Sequence, residues 1–134
     1  MARVLAQGAE RLPAAGAAFC NAYQIHNSEF DCVHEKAVVH PMAVMLGTTL
    51  AHLDRTGGAA SGREVIAAIA LAIDLAAGIG VASKAGLRFF RPATAGGFGA
   101  TLAVGRLMGF DAQTLVDACG NAYSQMGGTM QAHT

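Results

Sequence analysis

The stretch that most constrains how this chain folds begins at Ser61. Glu64 follows three residues on, the spacing at which a serine hydroxyl and a glutamate carboxylate satisfy the first free amides of a helix. An apolar run then covers residues 65–81, broken by Asp74 and weakened near its end by Gly78 and Gly80. A strong start signal ahead of so long an apolar run predicts one helix from Ser61 to about Ser83. Apolar side chains occupy nearly its whole circumference, which predicts a central position with cover on all sides. The run has the length of a membrane span, but a charge at mid-bilayer costs about 2.5–3.5 kcal/mol. Asp74 therefore argues for a buried helix of a soluble chain that makes no membrane contact. Lys84 or Arg88 is the partner that a buried carboxylate would need.

The rest of the chain reads as helices around this one. Residues 14–26 predict a helix with Ala18, Ala22 and Ile25 on one face and Phe19 and Tyr23 beside it. Residues 27–36 form a polar loop. Pro41 suits a first helical turn, the helix continues over 42–53, and Thr56-Gly57-Gly58 stops it. Residues 84–91 connect to a helix over 93–107 with Gly109 as its stop, and Asp111 caps a last helix over 112–126. Residues 1–12 read as a frayed beginning. Val38-Val39 and residues 87–90 are too short to count as strands. Met42, Met45, Met108, Met126 and Met130 read as core filler. A length of 134 residues allows one domain, and 17 glycines with no tryptophan favour closely approaching helices over aromatic-filled sheets. The expected fold is all-α: a helical bundle-like domain spanning residues 1–134.

Charge and cysteine usage exclude several function classes. The formal net charge is zero, so no basic field attracts nucleic acid or an anionic membrane. Cys20, Cys32 and Cys119 are odd in number and lack paired spacing, which indicates neither a disulfide framework nor a zinc finger. Free thiols fit a reducing, cytoplasmic compartment. The amino terminus holds no apolar core of signal-peptide length.

Only 13% of the residues are charged, yet His26, Glu29, Asp31, His34 and His40 fall within fifteen positions. Imidazoles and carboxylates exchange protons near neutral pH, so the cluster points to acid–base chemistry or a ligand. The plainer alternative is a solvated loop; Pro41 and the apolar run behind it place His40 against a core and favour the functional reading. Metal ranks below acid–base chemistry, because the spacing matches no zinc pattern such as His-Glu-x-x-His, and no metal or other cofactor is expected. Asp31 and His34 would share a face if that stretch were helical. His52 and His133 read as surface or helix-end residues. The segment from Arg91 to Ala100 opens a helix with Gly96, Gly97 and Gly99. Its amides favour an anion, and Arg91 can grip a carboxylate bidentately. It has neither the Gly-Lys-Ser/Thr of a phosphate loop nor a preceding strand, so close helix contact is the leading reading of its glycines.

Taken together, five segments resemble the MmgE/PrpD family. They are His26-x-x-Glu29-Phe30-Asp31, His40-Pro41, Arg91 to Ala100, Gly109-Phe110-Asp111, and Ala122 to Gln131. Their order matches over nearly the whole chain. That family includes 2-methylcitrate dehydratase of propionate catabolism, cis-aconitate decarboxylase and iminodisuccinate epimerase. The resemblance implies a helical domain of a cofactor-independent enzyme acting on small di- or tricarboxylates. It carries Asp31 and His40 over as catalytic residues, with Arg91, Thr94 and His34 as substrate binders. Cys32 stands where the family has a second acid. Arg91-Pro92 stands where it often has His-Pro, and a fixed cation cannot relay protons as histidine does. Family members are several times longer, with a helical segment ahead of this stretch and a lid domain beyond it. The chain is therefore expected to be the central part of a truncated helical domain, with any remainder encoded separately. The expected activity is dehydration of a 2-methylcitrate-like acid, with decarboxylation, epimerisation and a non-catalytic oligomerisation module as alternatives. A homodimer or larger assembly is expected, to cover the apolar flanks.

Overall fold

A computed structural model describes residues 1–128 and 130; His133 lies outside the described residues. The order is β1 (Ala2–Arg3), β2 (Arg11–Leu12), α1 (Ala14–His26), α2 (Pro41–Arg55), α3 (Gly62–Ala82), α4 (Arg91–Leu107) and α5 (Ala112–Ser124). The all-α expectation holds, with helix ends close to those read from the caps. Ser61 and Glu64 form a full capping box, and the Asp111 side chain accepts from the Thr114 amide. Pro41 and Pro92 occupy the first turns of α2 and α4, where a missing amide costs nothing.

The first twelve residues are not frayed. They form a two-stranded antiparallel hairpin pairing Ala2 with Leu12 and Arg3 with Arg11. Ala2 and Val4 are buried with Ala17 and Ala51. Buried Asn21 fastens the hairpin to α1: its amide donates to the Arg3 carbonyl, and its oxygen accepts the Leu5 amide at 2.8 Å. Asp54 at the end of α2 holds the other side, accepting the Arg3 amide at 2.7 Å and the Arg3 guanidinium at 2.9 Å. Strands of two residues carry too little period-two pattern to be read, and here polar side chains of two helices complete them.

The core is built of small residues. Met45, Ala68, Ala72, Ala76, Ala95 and Ala103 pack where α2, α3 and α4 meet. A Cβ at Gly47 would come within 2.9 Å of Ala22 and of the Ala18 carbonyl, so α1 and α2 cross backbone to backbone. Gly96 rests on Val44, and Gly99 on Met45 and the Ala72 carbonyl. Close helix contact, rather than anion binding, accounts for those glycines. Met45 is core, whereas Met108 is exposed.

Three expectations need correction. α3 is not wrapped on all sides: Ala68, Ala72, Ala76 and Gly80 are buried, while Ile66, Leu71, Ile79 and Val81 face outward. Asp74 lies on the exposed side, where hydration replaces the partner expected from Lys84 or Arg88. His52 sits in the last turn of α2 but is buried, and burial, then the Arg55 charge, pushes its pKa below the usual histidine value. α3 is long and apolar enough to cross a membrane by length and composition alone.

The hairpin clamp generates a pH prediction. The Arg3 backbone amide, then the Arg3 guanidinium and the Arg11 charge, hold the Asp54 carboxyl below its ordinary value, outweighing burial. A depressed folded value stabilises the protein above the unfolded value and loses that effect as pH falls through the folded one. Asp54→Asn should therefore lower the urea midpoint at neutral pH. The gap to wild type should close as pH drops from about 5 toward 2, and a gap unchanged over that range would show that the clamp carries no linked stability.

Candidate acid–base site

His26 is the last residue of α1, His40 is the residue that precedes α2, and Arg91 is the first residue of α4. Asp31 lies in the loop between α1 and α2. Three helix ends and one loop therefore supply the site, and all of it but Arg91 comes from the fifteen residues between His26 and His40.

The loop is pinned at several points. His34 and Val39 exchange backbone hydrogen bonds of 2.9 and 3.4 Å. Ala37 and Val39 are buried against Ala77 of α3. A Cβ on Gly80 would sit 2.5 Å from the Ala37 carbonyl oxygen. That same oxygen accepts a 2.9 Å hydrogen bond from Arg91 Nη1. The Ala37 peptide is thus held between α3 and α4. Glu29 and Val38 have positive φ, 56° and 52°. For a β-branched residue such as Val38 this is a costly conformation, and strain of this kind gathers at functional sites.

Asp31 is the hub. Its side chain is 5% exposed, and its Oδ1 lies 3.0 Å from His26 Nδ1 and 3.5 Å from His40 Nδ1. The two rings tilt against each other with centroids 4.7 Å apart. On their other edges, His26 Nε2 is 3.5 Å from one oxygen of Glu29 and His40 Nε2 is 3.7 Å from the other. Asp31 Oδ2 and His40 Nδ1 are buried without a hydrogen-bond partner among the described residues. His26, Glu29, His40, Arg91 and Met130 line one cavity of about 270 Å³.

The residues named from the sequence fall into two groups. His40 and Arg91 share this cavity, and Asp31 stands behind His40. Thr94 lies elsewhere: its hydroxyl donates to the Phe90 carbonyl, and it lines a neighbouring cavity of about 670 Å³ that Arg91 also borders. His34 is exposed, and its Nδ1 accepts the Ala37 amide at 3.1 Å, which makes it a loop fastener. His26 and Glu29 belonged to the sequence cluster without an assigned role; their three-residue spacing at a helix end is the signal that places them. A cavity of about 630 Å³ at the far end of α2 is lined by His52, Arg55, Arg63 and Arg106; its Glu64 is engaged in the capping box.

Chemically, a buried carboxylate between two imidazoles can fix their tautomers and stabilise either one as an imidazolium, as an orienting acid does in hydrolytic triads. Arg91 adds a fixed positive charge, and the amino ends of α2 and α4 favour an anion beside it.

The sequence model described as the MmgE/PrpD N-terminal domain matches residues 1–134. The chain therefore belongs to the MmgE/PrpD family. No curated protein and no solved structure matches.

The Ala37 anchorage gives a test of how the site is positioned. Gly80→Ala should force the loop off α3, because the contacting atoms are backbone and cannot rotate away. We expect a loss of about 1–3 kcal/mol by urea denaturation. Amide exchange should rise across residues 34–40, with the β1–β2 hairpin unaffected. Unchanged exchange in that loop would show that Gly80 does not position it.

Proposed function

We propose that this member of the MmgE/PrpD family catalyses lyase-type proton transfer on a small di- or tricarboxylic acid, dehydrating a substrate like 2-methylcitrate. One observation carries the reading: two imidazoles backed by one carboxylate share a cavity with a guanidinium. Arg91 would grip a substrate carboxylate with the donors that Ala37 leaves open. A carbon next to that carboxylate is the one whose proton is removed. His40 takes this proton, the C–H electron pair becomes the new C=C bond, and the neighbouring hydroxyl departs. His26 gives that hydroxyl the proton with which it leaves as water. Asp31 orients both rings and stabilises whichever is charged. The step balances with side-chain acids and bases alone. Decarboxylation or epimerisation would begin from the same bound carboxylate, and the groups that hold the rest of the substrate decide among them. Thr94 enters only through its place in the first turn of α4.

A second reading has its own observation. Phe19, Tyr23, Ile66, Val81 and Val116 expose apolar surface on α1, α3 and α5, which supports a helical module that docks onto a second copy or onto further polypeptide of a cytoplasmic enzyme. Asp74 in the middle of α3 favours protein over lipid as the cover.

The test is an assay of the purified chain with a panel of tricarboxylates, alone and with any adjacent gene product. His40→Ala should lower kcat by about 10²–10⁴-fold. Arg91→Ala should mainly raise KM, since one group moves protons and the other holds charge. A chain inert toward every acid under both conditions, yet dimeric by light scattering, would favour the docking module.

A further inference from the structure

We propose that His26, Asp31 and His40 form a binding site for one divalent transition-metal ion of the zinc class, with Glu29 as its outer carboxylate. The three residues offer ligand atoms that all lie within 4.8 Å of one another. Asp31 Oδ1 stands 3.0 Å from His26 Nδ1 and 3.5 Å from His40 Nδ1. Two ligands held tetrahedrally on one zinc by bonds of about 2.0–2.2 Å lie roughly 3.3–3.5 Å apart. Small side-chain adjustments would bring these atoms to bonding geometry.

The spacing of these residues along the chain argued against a metal, because it matches no zinc pattern such as His-Glu-x-x-His. The fold supplies the convergence instead, by bringing the end of α1, the loop and the start of α2 to one point.

Two further observations point to a ligand here. Asp31 Oδ2 and His40 Nδ1 are buried with no hydrogen-bond partner among the described residues. Leaving such atoms unsatisfied costs free energy, and a cation bound by His40 Nδ1 and chelated by both oxygens of Asp31 would satisfy them. Glu29 lies along the outer edge of both rings. Its two oxygens lie 3.5 and 3.7 Å from the Nε2 atoms of His26 and His40. A metal here would replace the 3.0 Å hydrogen bond between His26 Nδ1 and Asp31 Oδ1, leaving both Nδ1 lone pairs on the ion and both Nε2–H groups facing Glu29. A histidine that ligates a metal characteristically donates its other N–H to a carboxylate in this way. Three electron-pair donors then converge on one point, an arrangement that repels itself unless a proton or a metal ion lies among them.

The donor set selects the ion. Two imidazoles and one carboxylate suit zinc and its transition-metal neighbours, whereas calcium and magnesium require sets made of oxygen. Asp31 and Glu29 together balance a charge of two. The ion would take the lone pairs that the lyase reading uses to carry protons, so it acts there as an inhibitor rather than a cofactor. Binding itself does not depend on which acid, if any, is turned over.

The test is calorimetric titration of the chelator-stripped full chain with zinc chloride. We expect one ion per chain with a micromolar or tighter Kd. Asp31→Asn, which keeps the side-chain volume, and His26→Gln should each abolish saturable binding, with far-ultraviolet circular dichroism confirming the fold. Glu29→Gln, at an exposed position, should weaken binding by about 10–100-fold without abolishing it. A chain with serine at positions 20, 32 and 119 should bind as the wild type does. Cobalt(II) should give visible bands without thiolate charge transfer. No saturable zinc binding, zinc retained by Asp31→Asn, or zinc lost with the cysteines would overturn the proposal. No substrate enters these measurements. A chain that binds zinc but turns over no acid therefore sinks only the lyase reading, and an active chain that binds none sinks only this one.

Discussion

The site depends on one backbone oxygen. The Ala37 carbonyl rests on the bare backbone of Gly80 in α3 and accepts a hydrogen bond from Arg91 at the start of α4. Through it, a loop of fourteen residues whose own hydrogen bonds are few is referred to the packed α3–α4 pair. The His34–Val39 bridge and the burial of Ala37 and Val39 on Ala77 hold the same segment. The positive φ of Val38 follows from the same constraint, because the chain must turn sharply to bury Ala37 and Val39 while delivering His40 to α2. The strain at Val38 is about 1–3 kcal/mol for a residue in a sparsely populated region, and it is tolerable because burial on both sides over-determines the loop.

Charge placement separates what stabilises the fold from what serves the site. Asp111 and Glu64 lie at the amino ends of helices, and hydrogen bonds there hold both carboxyls below their ordinary values. Those charges agree with the helix dipole. Arg91 does the opposite, since it puts a cation at the amino end of α4. Against the dipole this costs roughly 0.3–1 kcal/mol, which its 2.9 Å hydrogen bond to the Ala37 carbonyl is strong enough to offset. Where a local rule is broken at a cavity lined by two histidines, function is the reason to look for. An anion bound beside Arg91 would bring the cation, the helix amides and the imidazoles into agreement.

The helices were legible because their ends carry strong chemistry: the Ser61–Glu64 box, Asp111, the two prolines and the Thr56-Gly57-Gly58 stop. The hairpin was not, because strands of two residues have no periodicity and their partners, Asn21 and Asp54, lie on α1 and α2. The circumference of α3 misled in a specific way. Apolar residues all round a helix indicate that it requires cover, and the alanine stripe finds it on α4 while Ile66, Leu71, Ile79 and Val81 find none among the described residues. The site was half legible. His40, Asp31 and Arg91 carried recognisable chemistry. His34 spends its ring on the Ala37 amide and Thr94 its hydroxyl on the Phe90 carbonyl, local bonds that compete with any ligand role. That His26 would face His40 across Asp31 depends on how the helix ends converge, which the sequence could not show.

The outward face of α3 sets a condition on whatever covers it. Fully burying a side chain such as Ile66 or Leu71 is worth about 1.5–3 kcal/mol, so the drive toward contact is strong. Asp74 lies on the same exposed side, one turn from Leu71 and one from Gly78, and cannot be buried cheaply alone. A purely apolar cover would leave its carboxylate unpaired. The cover must bring a cation or a hydrogen-bond donor to Asp74, or leave it a channel to water. A polypeptide surface could meet that condition, whereas a bilayer core would leave the carboxylate a cost of about 2.5–3.5 kcal/mol. The one charge that interrupts the apolar run of α3 would therefore favour a cover that is apolar along the helix and polar at one point.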